Sequence, residues 1–281
     1  MISPLNVLDA SVKAEPVQRT VVILHGILGS AKNWRTFGRR LSRECPGWRV
    51  LLVDLPNHGD SPHYERAQTL PVCAQALVDL SEKLALRVDA VVGHSFGGKV
   101  ALSWAELSQD EGRTTWILDT NPGSAHSHPE RVSSTHVMQV LESLLSVHEP
   151  FATREELVRM LEERGFGRTI ANWMTTNLYR ASDGFRWRFN LRGVQAMIDD
   201  YARRDYIPSL SDGSLRGRFH LLKAGRTRWP VGDTALFSSL SGSGDGRFAY
   251  HVLPDCGHWV HVERPAELIG LLAASFRTDT R

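Results

Sequence analysis

The chain has few cysteines, and their spacing argues against two kinds of stabilising site. Cys45, Cys73 and Cys256 are the three cysteines among 281 residues, and no two of them form a C-x-x-C pattern. An odd, widely spaced set favours neither a disulfide framework nor a zinc site. We therefore expect three small buried side chains and no structural metal.

Long apolar runs and an excess of charge of one sign are also missing. No run is long enough to cross a bilayer, and the first residues do not join a basic segment to an apolar one. The formal net charge is +2, with Lys and Arg scattered along the chain. We expect no nucleic-acid partner and no stable membrane insertion. A cytoplasmic protein is predicted, or one of an organelle matrix if a transit segment precedes this chain, and the sequence does not indicate an oligomeric state.

What the chain does have is a regular alternation of strand and helix signals in its first 120 residues. Hydrophobic residues make up 42% of the sequence and charged residues 23%, which excludes a disordered or fibrous chain. Short apolar runs typical of buried strands alternate with helical spacing of apolar residues. The predicted strands are 20–24, 49–53, 88–92 and 114–118, and the predicted helices are 70–86 and 99–107. This order predicts an α/β fold with a doubly wound, mostly parallel sheet.

The pattern changes between Asn121 and Asp205, where helical spacing replaces the strand signals. We interpret 121–205 as a helical cap inserted into a core formed by 1–120 and 206–281. Phe185–Phe189 alternates like a short strand or extended segment. Strand signals return at 219–222 and 247–253, with a flexible surface loop predicted at 241–246 and a final helix at 265–276.

The most informative motif is Gly93–Gly97, which reads Gly-His-Ser-Phe-Gly between a strand and a helix. Alone, G-x-S-x-G is common by chance, and its context is what makes it informative. A strand, a sharp glycine turn and a helix form a nucleophile elbow, which exposes the serine hydroxyl. Ser95 is therefore the predicted nucleophile.

A serine hydroxyl needs a histidine base and a carboxylate that orients the base. His258 follows the last strand on a glycine-containing loop and is the predicted base, whereas His261 is interpreted as a surface or helix-flanking residue. Asp119 ends the strand after the nucleophile helix and is the predicted acid. Two alternatives stay open: Asp119 only caps the following turn, or the acid is Asp233 from a later loop.

Acyl transfer also requires two N–H groups that stabilise the oxyanion. The predicted donors are Phe96, directly after the nucleophile, and Ile27, in the loop after the strand 20–24. Asp54 and His58 lie on a neighbouring turn and are interpreted as structural.

Bulky side chains of the inserted segment are candidates for a substrate pocket. Those that could face it are Trp173, Met174, Leu178, Trp187 and Phe189. Packing between cap helices is the alternative for each of them. Trp173 and Trp187 are the predicted substrate-binding residues, and truncation of Trp187 should shift the preference toward longer acyl groups.

Several of these motifs together resemble the α/β-hydrolase family, and within it an esterase branch. The resemblance spans nearly the whole chain and rests on five segments: 25–30, 54–62, 93–99, 185–191 and 257–261. It implies a Ser-Asp-His triad and hydrolysis of acyl esters without a cofactor. In this branch the acid resembles Asp119, whereas the later acid loop, with serine or asparagine in the branch, reads Arg226-Thr227-Arg228 here.

The sequence thus predicts a carboxylic ester hydrolase that acts on a small acyl ester or thioester of short to medium length. Two alternatives remain. Related enzymes with the same motifs cleave carbon–carbon bonds or eliminate small acids, and a hydrolase fold can also serve as a ligand receptor without activity.

Overall fold

A computed structural model describes residues 5–12, 18–65, 68–131, 135–244 and 246–278. Nine strands lie in these ranges. In chain order they are β1 Val7–Asp9, β2 Arg19–Leu24, β3 Trp48–Val53, β4 Ala90–His94, β5 Thr114–Leu118, β6 Leu178–Ala181, β7 Gly184–Trp187, β8 Arg218–Ala224 and β9 Phe248–Leu253.

Eleven α-helices lie in the same ranges. They are α1 Arg35–Glu44, α2 Leu70–Lys83, α3 Phe96–Ser108, α4 Thr135–Leu145, α5 Arg154–Glu163, α6 Arg168–Thr175, α7 Leu191–Arg203, α8 Ile207–Ser211, α9 Val231–Ser241, α10 Val260–Glu263 and α11 Pro265–Thr278. Short 3-10 helices cover Ala31–Trp34 and Pro129–Arg131. None of the described helices is both long and apolar enough to span a membrane.

Seven strands form one sheet in the order β1-β3-β2-β4-β5-β8-β9. Only β1 pairs antiparallel with its neighbour, and the other neighbouring strands pair parallel. Helices α1 and α11 cover one face, while α2, α3 and the segment between β5 and β8 pack on the other. Parallel strands place their carboxyl ends at one edge, and ligand sites of such sheets lie there.

The predicted core strands are present, and the differences from the sequence analysis concern short or weakly patterned elements. β1 has three residues, too few for an alternating pattern. The helix predicted to reach Leu86 ends at Lys83, because Ala85 adopts a left-handed φ of 49°. In α9, Asp233 and Phe237 are the buried residues, so no apolar stripe marks this helix in the sequence. The predicted loop at 241–246 is only partly testable, since Asp245 lies outside the described residues.

The segment predicted as a cap contains α4 to α7 and a two-stranded hairpin of β6 and β7. The expectation that strand signals vanish here was wrong for β6. Leu178 pairs with Trp187 and Ala181 with Gly184 across the turn. Gly184 has a φ of 143°, and a Cβ there would lie 2.6 Å from the Phe151 carbonyl oxygen. The hairpin therefore depends on a glycine turn and on a long-range contact.

A buried lysine of α3, the helix that follows Ser95, forms hydrogen bonds with both ends of this segment. Lys99 of α3 is 1% exposed. Its Nζ donates hydrogen bonds to the carbonyl oxygens of Gly123, Tyr201 and Arg204 at 2.8, 2.9 and 2.8 Å. Three acceptors satisfy all three donors of an ammonium group. Lys99 thus fixes the position of the inserted segment above the carboxyl edge of the sheet.

Candidate active site

Ser95 joins β4 to α3 in a conformation that side chains rarely adopt. Its φ is 53° and its ψ is −119°, and strain of this kind costs ~1–3 kcal/mol and clusters at functional sites. A Cβ on Gly97 would lie 2.7 Å from the His25 carbonyl oxygen, and one on Gly93 would collide with the Gly97 carbonyl. The Ser95 N–H donates to the Leu118 carbonyl at 3.0 Å. The predicted sharp turn is therefore present, tied to the end of β5.

Asp119 and His258 meet at the same edge of the sheet. Asp119 directly follows β5 and is fully buried. Its Oδ2 accepts a hydrogen bond from His258 Nδ1 at 2.7 Å. Its Oδ1 accepts from the Ala224 N–H at 2.9 Å, so β8 holds the carboxylate in place. With Nδ1–H donated to a carboxylate, Nε2 of a neutral His258 carries the lone pair that a general base requires.

Ser95 and His258 line one cavity of about 420 Å³. Most of its surface is apolar and is formed by the loop after β2, by α6 and by the residues around α10. The apolar wall residues are Ile27, Trp34, Ile170, Trp173, Trp259 and Val262. An apolar cavity with a few convergent polar groups is the usual form of a small-molecule site.

The two predicted oxyanion donors belong to backbone segments that lie next to the serine. Phe96 is the first residue of α3. A Cβ on Gly26 would lie 3.2 Å from the Ser95 Cβ, so the loop that carries Ile27 passes directly beside the serine. Both backbone N–H groups therefore stay candidates for binding a developing oxyanion.

Two neutral histidines and one carboxylate hold this loop. His25 and His58 donate Nδ1–H to nearby carbonyl groups and accept at Nε2 from the N–H groups of Leu55 and Leu28. Burial lowers the pKa of His58 to about 3 and also lowers the pKa of His25, so both rings remain uncharged. Asp54 accepts bonds from three donors in the same region. These contacts agree with the structural role expected for Asp54 and His58.

His94 was not singled out by the sequence analysis, although it lies inside the serine motif. Its Nε2 donates to the carbonyl oxygen of His258 at 2.8 Å. Burial holds the pKa of this imidazole well below its usual range. Since the hydrogen bond fixes the backbone of His258, His94 positions the loop that carries the predicted base.

Thr227 is a second site residue that the sequence analysis did not assign. It lies in the loop after β8, whose basic sequence Arg226-Thr227-Arg228 contains no carboxylate. The Thr227 hydroxyl donates to Asp119 Oδ2 at 2.8 Å. This loop therefore supplies a hydroxyl group to the carboxylate of Asp119 instead of a carboxylate of its own.

Asp233, the alternative acid, lies in a different environment. It was expected on a surface loop, but it is 7% exposed in α9. Its two carboxylate oxygens accept hydrogen bonds from Arg131 Nε and Nη2, both at 2.8 Å, and Oδ2 also accepts from Asn121 Nδ2 at 2.8 Å. The structure thus pairs Asp233 with a guanidinium group and Asp119 with His258.

Of the two predicted substrate-binding tryptophans, one lies at the cavity and the other does not. Trp173 of α6 lines the cavity and contacts Trp259 edge to face, with ring centroids 6.1 Å apart. Trp187 is not among the lining residues. Its ring is buried and stacks on Phe189 at 4.8 Å. The prediction for Trp187 is therefore corrected: the register of the β6–β7 hairpin turns this side chain into the packing of the inserted segment.

The other candidate lining residues are also buried in that packing, and the cysteines are buried as expected. Met174, Leu178 and Phe189 belong to the large core cluster rather than to the cavity wall. The three cysteines are free and buried.

His261 differs from its expected place at the surface. It is 8% exposed, and its ring stacks on Trp34 with a centroid distance of 3.8 Å. The short helix α10 follows the His258 loop directly and turns this side chain inward. His261 also lines the cavity that contains Ser95.

Comparisons with known proteins agree with this architecture. The chain is 24% identical over 272 residues to the sn-1-specific diacylglycerol lipase ABHD11 of Danio rerio, covering 95% of this chain and 81% of that protein. It is 24% identical over 264 residues to esterase YbfF of Escherichia coli, covering 93% and 94%. A solved marine microorganism esterase superposes with a TM-score of 0.78 at 22% identity, covering 96% and 98%, a likeness that concerns the fold.

The family match extends over residues 21–271. It includes the serine turn, the inserted segment and the His258 loop. The predicted fold class and the resemblance to an esterase branch are confirmed, and the prediction of a carboxylic ester hydrolase agrees with the named activities of these relatives. The chain belongs to the alpha/beta hydrolase family.

Proposed function

We propose that this protein is a serine hydrolase that cleaves acyl esters through an acyl-enzyme intermediate. Ser95 acts as nucleophile, His258 as base and Asp119 as the residue that orients the base. The observation that carries this proposal is the 2.7 Å hydrogen bond between Asp119 Oδ2 and His258 Nδ1, at the same cavity as Ser95. No metal or cofactor takes part in this chemistry.

The reaction follows from these positions. His258 Nε2 takes the hydroxyl proton as Ser95 Oγ attacks the ester carbonyl, and the N–H groups of Ile27 and Phe96 stabilise the oxyanion. The imidazolium then gives its proton to the departing alcohol. Water, deprotonated by His258, attacks the acyl-enzyme and releases the carboxylic acid. Asp119 stabilises the imidazolium in both halves of the reaction.

The substrate class we propose is short to medium acyl esters or thioesters. Three tryptophan rings, those of Trp34, Trp173 and Trp259, form part of the cavity wall. A buried methylene adds only ~0.8 kcal/mol, so steric limits override the gain from longer chains. The names of the lipase and esterase relatives support ester hydrolysis.

Carbon–carbon hydrolysis or elimination at the same site is the second candidate reaction. The paired serine, histidine and carboxylate would serve these reactions as well. A ligand receptor without activity would not need a buried carboxylate that accepts hydrogen bonds from a backbone N–H, a threonine hydroxyl and the imidazole of His258. This arrangement around Asp119 argues for an enzyme.

The test is hydrolysis of p-nitrophenyl esters from acetate to palmitate by the wild type and by Ser95→Ala. We expect kcat to fall roughly 10⁴-fold or more, because nucleophile and base act as one unit. Ser239→Ala, at an exposed position of α9, is the matched control and should keep wild-type kcat. Retention of more than about a tenth of the activity in folded Ser95→Ala would contradict the proposal.

A further inference from the structure

His261 differs from the other buried histidines in the hydrogen bonds of its ring. Among the four buried histidines that the structure describes, His25, His58 and His94 each hydrogen-bond to backbone groups. His261 has no hydrogen-bond partner, and its Nδ1 is enclosed by protein atoms. Nε2 is not among the enclosed atoms and has no hydrogen-bond partner among the described residues, so this nitrogen is available to a group that enters the cavity.

The ring of His261 is held in one orientation. It stacks on Trp34 at 3.8 Å with an interplanar angle of 14°, and Phe37 meets it edge to face at 6.5 Å. The ring of His94 lies 5.3 Å away. A polar group that is fixed before the ligand arrives loses little conformational entropy on binding.

The accessible nitrogen of this ring is Nε2, because Nδ1 is enclosed. Burial lowers the pKa of His261 to about 3, so the ring is uncharged and carries a single proton. An enclosed N–H without an acceptor is rarer than an enclosed lone pair. The proton therefore belongs on Nε2, which makes this atom a hydrogen-bond donor at the cavity wall.

The charges around His261 select the kind of acceptor. Glu263 also lines the cavity, and its carboxylate accepts from the Gly257 N–H at 2.9 Å and lies 3.9 Å from the largely exposed guanidinium of Arg226, which is the cation paired with it. An uncharged imidazole does not neutralise an anion, and a second carboxylate near Glu263 would be repelled. The remaining wall is mainly aromatic and aliphatic, so the fitting acceptor is an uncharged oxygen on an otherwise apolar group.

We propose that His261 is a specificity-determining residue that donates an Nε2 hydrogen bond to an uncharged ether, hydroxyl or carbonyl oxygen of the substrate, outside the ester group that is cleaved. This rests on the proposed function. The substrate class becomes neutral esters that carry a second oxygen function, in preference to plain alkyl esters and to esters with a free carboxylate.

The experiment compares esters that differ by one atom. In two series, one with the acyl chain and one with the alcohol chain varied, an ether oxygen replaces each methylene in turn, and kcat/KM is measured by pH-stat titration. At one chain position the ether should exceed its methylene isostere by about tenfold, the ratio that one hydrogen bond supports. An analogue with a carboxylate at the chain end should be hydrolysed more slowly than either.

Variants of His261 test whether this residue causes the preference for the ether over the methylene substrate. His261→Phe keeps a ring for Trp34 and should abolish the ether-to-methylene ratio, while His261→Gln, whose amide reaches the position of Nε2, should restore part of it. His148→Phe, at an exposed position, should leave the ratio at the wild-type value. Melting temperatures establish that each variant is folded, and the ratio within one variant cancels any loss of active enzyme.

Two results would overturn the inference. One is a wild type that hydrolyses alkyl esters through Ser95 but shows no ether advantage at any position. The other is a His261→Phe variant that keeps the advantage. Failure of the wild type to hydrolyse any ester of either series would instead count against the proposed function.

Discussion

Two buried aspartates lie in neighbouring regions of this molecule and have different partners. Asp119 accepts hydrogen bonds from a backbone N–H, a threonine hydroxyl and the imidazole of His258. Asp233 accepts from an amide and from the permanently charged guanidinium of Arg131. Burial and complete hydrogen bonding are common to both. The difference lies in the partner, because an imidazole can exchange a proton at neutral pH and a guanidinium cannot.

We expect the largest effect on kcat from a substitution of Asp119. Asp119→Asn should lower kcat by up to ~10⁴-fold, because an amide no longer fixes the His258 tautomer or stabilises the imidazolium. Steady-state hydrolysis of a short p-nitrophenyl ester measures this. An Asp119→Asn enzyme with wild-type kcat would remove Asp119 from the proposed mechanism.

Asp233→Asn should act on stability. Removing the carboxylate charge leaves Arg131 with Asp205, at 3.7 Å, as the more distant counter-charge, and the free energy of unfolding should fall by about 3 kcal/mol. The kcat of the folded variant should stay within tenfold of wild type. Urea unfolding and ester hydrolysis on the same preparation separate the two effects, and a kcat loss as large as that of Asp119→Asn would move the acid to this region.

The stability contribution of Asp233 should depend on pH in a defined direction. Burial alone would raise the pKa of Asp233, but the hydrogen bonds from Arg131 and Asn121 outweigh it and leave the pKa below its ordinary value of 3.8. The ionised carboxylate then stabilises the fold above pH 3.8, and this contribution is lost as the pH falls toward the lower pKa of the folded state.

The measured quantity is the difference in unfolding free energy between the wild type and Asp233→Asn. It should be constant near neutral pH and shrink below pH 3.8. Urea titrations between neutral pH and about pH 3 test the sign. A difference that grows on acidification would contradict the assignment.

We expect the smallest effect on kcat from removal of the Thr227 hydroxyl, which donates a hydrogen bond to Asp119. Thr227→Val keeps the shape of the side chain but removes one donor from Asp119 Oδ2, and kcat should fall about tenfold, in line with one hydrogen bond. Thr227→Ser retains the hydroxyl and should retain most of the activity. Wild-type activity in Thr227→Val together with a loss in Thr227→Ser would show that the methyl group, and not the hydroxyl, is what the site requires.

The core and the serine turn could be predicted from sequence because their constraints are local. Gly93 and Gly97 admit no side chain at the elbow, and the strand that leads into it begins with the apolar residues 90–92. The positions of Asp119 and His258 at the same sheet edge follow from parallel topology. These signals lie within a few residues of each functional group.

The remainder depends on contacts between distant parts of the chain. The inward orientation of Trp187 follows from the hairpin register, and the burial of His261 follows from its contact with Trp34. The hydroxyl of Thr227 reaches a carboxylate 108 residues away. Neither hydrophobic periodicity nor motif spacing encodes such pairings, since both describe one element at a time.

The assignment of Ser95 as nucleophile and Asp119 as its acid can be tested by the rate of covalent labelling with a fluorophosphonate, followed by intact mass measurement and peptide mapping. The wild type and Asp233→Asn should be labelled once, on Ser95, at similar rates. Asp119→Asn should react far more slowly and Ser95→Ala should not be labelled. Labelling of Ser95→Ala at the wild-type rate, or an Asp119→Asn rate equal to that of Asp233→Asn, would contradict these roles of Ser95 and Asp119.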